Sequence, residues 1–208
     1  MYEDLKKELY EAHMNLEKYG LVAYTSGNVS VRVESHIIIK PSGVPYDRLK
    51  PQDMVVLDLQ GNIIEGNLKP SVDSATHLYL YNRLNDVGSI IHTHSPYASS
   101  FALLNQSLPV YSTAHADVFG VEIPVSSYAP VGTEAIGKAV MEVVNQARAV
   151  LLSKHGVIVM GKDIQEALRN AIFLEEVAKT AVFARTMGNP KPLDEEEAKR
   201  LFEFHHKS

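Results

Sequence analysis

The chain opens with apolar residues at helical spacing. Leu5, Leu9, Tyr10, His13 and Leu16 share one side of a helix expected over Tyr2–Tyr19, with Gly20 as its stop. The period then changes to two. Val29–Val33 alternates, Glu34-Ser35 turns, and His36–Lys40 reads as a second strand. Met54–Leu59 is a third, and Gly61-Asn62 makes a hairpin to Ile63-Ile64. After Lys69–Asp73 a helix is expected to about Leu84, capped by Ser71 or Asp73. Gly88–His94 reads as a strand and Pro96–Leu104 as a helix with proline in its first turn. Val121–Ser126 reads as a strand and Thr133–Gln146 as a helix. Ala149–Ser153 and Val157–Met160 are strands around a Lys154-His155-Gly156 turn. Asp163–Met187 is a long helix that starts on a capping-box pair, Asp163 and Glu166, and a short helix falls within 194–206. Strands and helices mix without strict βαβ alternation. The expected fold class is therefore α/β: a single domain over residues 1–208 with a mainly antiparallel central sheet flanked by helices.

Composition narrows the function classes. A net charge of -5 with no long basic block argues against nucleic acid or a membrane surface as partner. The absence of cysteine excludes disulfides, thiolate metal sites and cysteine nucleophiles. No apolar run approaches the roughly 18 residues of a membrane span, and the N-terminus is charged and amphipathic, so a cytoplasmic location is expected.

The chemistry concentrates at strand ends. On a strand, His92 and His94 aim their imidazoles at one face, which is half of a metal site or a pair of structural histidines. His155 also ends a strand, and three imidazoles with an open fourth position make a catalytic zinc pattern. The residues that follow fit neither a metallo-β-lactamase, which wants Asp-His next, nor a cupin, which wants continuous β structure. Asp73 is either a helix cap or a functional carboxylate. Three small polar loops, Ser26-Gly27-Asn28, Ser42-Gly43 and Ser71-Val72, could bind phosphate through backbone N–H groups, with Lys40 as a nearby cation. Asp117 is either a turn carboxylate or a general acid/base.

The ordered set TSGNVS (25–30), KPSGV (40–44), KPSVDSATHLYLY (69–81), IIHTHSPYA (90–98), AHADVFG (114–120) and KHGVIVMG (154–161) resembles the class II aldolase/adducin head family, from about residue 2 to residue 187. The resemblance implies that family's α/β fold and one divalent metal ion per subunit, with zinc expected, on His92, His94 and His155. Asp73 would approach the metal or exchange protons. Gly27, Asn28, Lys40, Ser42, Gly43 and Ser71 would hold phosphate. It also implies a small phosphorylated sugar as substrate and a homotetramer with active sites at subunit interfaces. Asp73 rather than Glu, the lysine of KPSGV, and Asp117 in its HAD triplet resemble the L-ribulose-5-phosphate 4-epimerase branch. The expected activity is a metal-dependent epimerase working by retro-aldol and aldol steps through an enediolate. The alternative is a class II aldolase cleaving a ketose 1-phosphate such as L-fuculose 1-phosphate, and a third reading is a non-catalytic adducin-like association domain. Some positions depart from the pattern. Val72 replaces a second serine of the phosphate loop, Ser26 replaces a tryptophan common in the epimerases, and no tyrosine lies beyond Tyr128, although both enzymes use one near the C-terminus.

Overall fold

The computed structural model describes residues 1–206; Lys207 and Ser208, which the expected single domain includes, lie outside the described residues. Helix α1 (Glu3–Lys18) leads into a four-strand meander of β1 (Asn28–Val33), β2 (His36–Ile39), β3 (Val55–Asp58) and β4 (Ile63–Glu65). Then come α2 (Ser74–Tyr81), β5 (Ser89–Thr93), α3 (Pro96–Leu104), α4 (Thr113–Phe119), β6 (Val125–Ser126) and α5 (Ala135–Val143). The chain closes with β7 (Ala149–Leu152), β8 (Val157–Gly161), α6 (Ile164–Met187) and α7 (Glu195–His206). The strands form one sheet in the order β4-β3-β2-β1-β5-β8-β7-β6. Every pairing is antiparallel except β6 with β7. This is the expected single-domain α/β architecture.

The central strands are apolar in succession because both faces of the sheet are covered. Val29, Val31, Ile91, Val157 and Val159 pack with Leu9, Leu16, Phe101 and Leu174, which belong to α1, α3 and α6. On the opposite face Ile37, Ile39, Ile90, Ile158 and Met160 pack with Leu80, Ile136 and Val140 of α2 and α5. Each fully buried Leu or Ile side chain contributes about 1.5–3 kcal/mol. No helix among the described residues is long and apolar enough to cross a membrane.

Four expectations need correction. Helix α2, expected to about Leu84, ends at Tyr81. The strand expected over Val121–Ser126 shrinks to Val125–Ser126, because Pro124 offers no N–H to a ladder and only its carbonyl is used, accepting from Leu151. The helix expected to Gln146 stops at Val143, where Asn145 makes a turn by accepting from Ala147 N–H. Asp117, read as a turn carboxylate in one alternative, sits inside α4. That helix is capped by Ser112, whose hydroxyl accepts from His115 N–H at 3.2 Å.

His13 ties α1 to the sheet. It is fully buried; its Nε2 accepts from Val29 N–H at 2.9 Å, so its Nδ1 donates to the Leu9 carbonyl at 2.7 Å. Burial pushes it down to about 3. A histidine held neutral in the fold stabilises fully above the unfolded value near 6.5 and loses that contribution as pH falls towards about 3. The expected slope is about 1.4 kcal/mol per pH unit for this residue. Urea midpoints from pH 7 to pH 5 should therefore fall less steeply in His13→Gln than in the wild type, and equal slopes would contradict this role.

Candidate metal centre and phosphate cleft

The register of the sheet builds the site. Asn28 pairs with His92, His92 with Ile158, and Thr93 with Val157. The start of β1, the ends of β2 and β5 and the β7–β8 turn therefore meet at one end of the sheet. His92 lies on β5, and His94 is one residue past it, on the link to α3. His155 sits in the tight turn where Leu152 N–H donates to the Gly156 carbonyl and His155 N–H to the Leu152 carbonyl.

The three imidazoles converge. Their ring centroids are 4.7–5.0 Å apart, and one ligand atom from each lies within 4.8 Å of the others. His92 is buried, His155 half-buried and His94 open to solvent. His92 Nδ1 donates to the Val157 carbonyl at 2.9 Å, which leaves a lone pair on Nε2. That nitrogen lies 3.0 Å from His94 Nε2. Burial pushes His92 down to about 3, against the pull of Asp73, and desolvation also lowers His94 and His155. The set is thus neutral, nitrogen-only and convergent, and His155 Nδ1 is buried without a hydrogen-bond partner. These residues fit a divalent cation. Other histidines are committed elsewhere: His77 bonds Ser30, His115 donates to the Val121 carbonyl, and His36 pairs with Tyr2.

Beside them opens a cleft of about 340 Å³. Gly27, Asn28, Lys40, Ser42, Gly43, Ser71 and Asp73 line it together with the three histidines. Asp73 occupies the cap position of α2 but makes no cap bond, which removes the capping reading. Instead its Oδ2 accepts from Asn28 Nδ2 at 2.8 Å. Burial opposes ionisation of Asp73, but His92, His77 and the Asn28 amide outweigh it and hold the carboxyl below its usual range. Asn28 also donates to Ser71 Oγ at 3.1 Å, and its own Oδ1 is buried without a partner. Lys40 is 2% exposed, with Nζ donating to the Thr25 carbonyl at 3.1 Å above the Tyr46 ring, and burial pushes it down to about 8.

Asp117 is the exception. It is not among the residues lining this cleft; on α4 its Oδ1 lies 3.3 Å from His205 Nε2 of α7.

Sequence pattern assigns no site role to Gly156, beyond its place in the turn, nor to Tyr46 or Val131. A Cβ on Gly156 would fall 2.3 Å from the Thr93 carbonyl oxygen and 2.9 Å from His94 Cδ2, so only glycine lets the turn approach β5. Its place directly after His155 was the available signal. Gly27 has φ +71°, and a Cβ there would meet Val22 at 2.4 Å and the His92 carbonyl at 2.9 Å. Tyr46 donates to the Ser26 carbonyl at 3.0 Å and braces that loop, and Val131 reaches the cleft rim; neither stands in a distinctive motif.

Comparison with known proteins places the chain in one family and fold. The sequence profile of the class II aldolase and adducin N-terminal domain matches residues 7–182. An L-fuculose 1-phosphate aldolase superposes with a TM-score of 0.89 at 34% identity, over 97% of this chain and 95% of that one. YgbL from Escherichia coli gives 0.86 at 25% identity, over 96% and 98%. The L-fuculose-1-phosphate aldolase from Thermus thermophilus gives 0.79 at 28% identity, over 90% and 98%.

Gly156→Ala should push the β7–β8 turn away from β5. The expected cost is about 1–3 kcal/mol of stability and at least about tenfold in Zn2+ affinity, measured by thermal denaturation and chelator competition. Wild-type affinity in this variant would show that the close approach is dispensable.

Proposed function

The chain belongs to the class II aldolase and adducin N-terminal domain family, and from that premise we propose that it is a divalent-metal-dependent enzyme cleaving a phosphorylated ketose in the manner of an aldolase. The observation that carries this reading is the meeting of three neutral imidazoles, one half-buried carboxylate and a ring of small polar loops in a single cleft. Zinc is the proposed ion, on His92, His94 and His155. Once bound, it supplies Lewis-acid stabilisation of the negative charge that develops on substrate oxygens as the carbon–carbon bond breaks.

The chain's own groups have separate tasks. Asp73, ionised and anchored by Asn28, is the proposed proton acceptor beside the ligand set. Gly27, Asn28, Ser42, Gly43 and Ser71 are proposed to take the phosphate, with Lys40 as its counter-charge. L-Fuculose 1-phosphate is the leading substrate candidate, supported by the resemblance to aldolases of that name. The epimerase, the first expectation from the sequence, becomes the second reading, favoured by Asp73 in place of Glu and by the lysine at position 40. In either reading the protein works as a homotetramer, and Asp117 acts as an acid/base group in a neighbouring subunit's cleft. Asp117 lies off its own chain's cleft and beside His205, so its proposed acid/base role requires a cleft shared with another subunit.

Incubation with L-fuculose 1-phosphate should release dihydroxyacetone phosphate. Conversion of L-ribulose 5-phosphate to D-xylulose 5-phosphate, with no release from the first substrate, would replace the aldolase reading by the epimerase one. Lys40 gives a second test. A lysine lowered to about 8 is cationic below that pH and loses its charge above it. The Kd for inorganic phosphate should therefore rise by up to about tenfold per pH unit above about 8. Lys40→Met should bind weakly at all pH values, and a wild-type profile in that variant would remove Lys40 from the phosphate site.

A further inference from the structure

Helix α3 begins two residues after His94, and it lacks a cap of its own. Ser95 occupies the cap position, but its side chain makes no capping hydrogen bond. The orphan N–H groups of that turn are satisfied from α6. Glu175 is 9% exposed; its Oε1 accepts from Tyr97 N–H and its Oε2 from Ala98 N–H, each at 2.9 Å. The Ser95 hydroxyl also hydrogen-bonds Glu175, and the Thr93 hydroxyl donates to Ser95 Oγ at 3.2 Å. Burial pushes the Glu175 carboxyl up, and the Tyr97 and Ala98 N–H groups and the Ser95 hydroxyl pull against that shift; with both oxygens held on the N–H groups of a helix start, the side chain is a strong anchor. The carboxylate itself is held firmly, since its neighbours on α6, Leu174 and Ala178, are fully buried in the core.

His94 is the single residue between two fixed points. On one side Thr93 is held by its pairing with Val157. On the other, Ser95, Tyr97 and Ala98 are held by Glu175. Unlike His92, which its bond to Val157 orients, His94 stands outside the sheet ladder and is open to solvent. Its backbone direction therefore depends on where α3 starts. We propose that Glu175 is a positioning residue for the metal centre, aiming His94 at the other two imidazoles through the first turn of α3. This rests on the reading of His92, His94 and His155 as metal ligands. Glu175 is not among the residues lining the cleft and takes no part in the chemistry proposed above.

The test compares Zn2+ affinity, by chelator competition, and the Co2+ absorption spectrum across full-length variants. Glu175→Gln is isosteric but can offer only one acceptor oxygen to the two N–H groups. It should bind Zn2+ about 10–100-fold more weakly and give an altered Co2+ spectrum, with unchanged far-UV circular dichroism. Glu175→Asp keeps the anion at the helix start and should recover part of the loss. Glu176→Gln, one residue on at an exposed position, should match the wild type. A Glu175→Gln protein that melts earlier but binds Zn2+ and Co2+ as the wild type does would overturn the proposal and leave Glu175 as a helix cap alone. If that variant does not fold, Ser95→Ala decides: several-fold weaker Zn2+ binding supports the proposal, and wild-type affinity overturns it. Wild-type protein that binds no more Zn2+ than His94→Ala would sink the metal-centre reading itself, a failure visible before any Glu175 variant is compared.

Discussion

The hydrogen bond from His92 Nδ1 to the Val157 carbonyl joins the sheet to the site. It crosses from β5 to β8 within the pairing that sets Thr93 opposite Val157 and so brings the β7–β8 turn over the end of β5. One bond thereby chooses the tautomer of a buried imidazole and fixes its free nitrogen towards the other two rings. A slip of one residue in that register would turn His92 to the opposite face of the sheet, among the apolar side chains of α3 and α6. The apolar packing on both faces is what makes such a slip costly, and the site inherits its precision from the core.

The cleft concentrates polar groups that a core alone would disfavour. Lys40 is buried with one backbone carbonyl and an aromatic face for company. Asp73 is half-buried against Asn28, and the Asn28 Oδ1 has no partner. Unpaired buried polar atoms cost about 1–3 kcal/mol each, so this end of the molecule is less stable than its packing would allow. Clusters of such groups mark binding sites, because a ligand bearing the complementary charge satisfies them on arrival. The structural role of His13 and the proposed roles of His92, His94 and His155 differ for the same reason. His13 has both ring nitrogens satisfied by the fold, whereas the site histidines retain unspent nitrogens.

Much of this was legible in the order of residues. The periodicities located the strands of the meander, the H-x-H strand and the long α6, because each carries an uninterrupted pattern and a recognisable stop. Helix α4 carries no legible signal, since it is a single short stretch with a serine cap and no amphipathic repeat, and the sequence leaves Asp117 between a turn carboxylate and a general acid/base. Gly156 and Glu175 were missed for another reason. Gly156 matters because a carbonyl from β5 passes within 2.3 Å of where its Cβ would be, and Glu175 because α6 lies against the start of α3. Neither neighbour is near in sequence.

The sequence by itself determined most of the elements, though not α4 or the full bounds of α2, β6 and α5, together with the candidate ligands and the small polar loops, since these depend on local propensity and on residue chemistry that travels with the chain. Ten of its site residues line one cleft. Tertiary structure alone decided that they meet, that Asp73 binds Asn28 rather than its own helix, that Asp117 faces α7, and that a carboxylate from α6 caps the helix after His94. Convergence depends on strand register and on helices packing across the sheet. Those are set by the sum of many weak apolar contacts between distant segments, and no single stretch of residues encodes that sum.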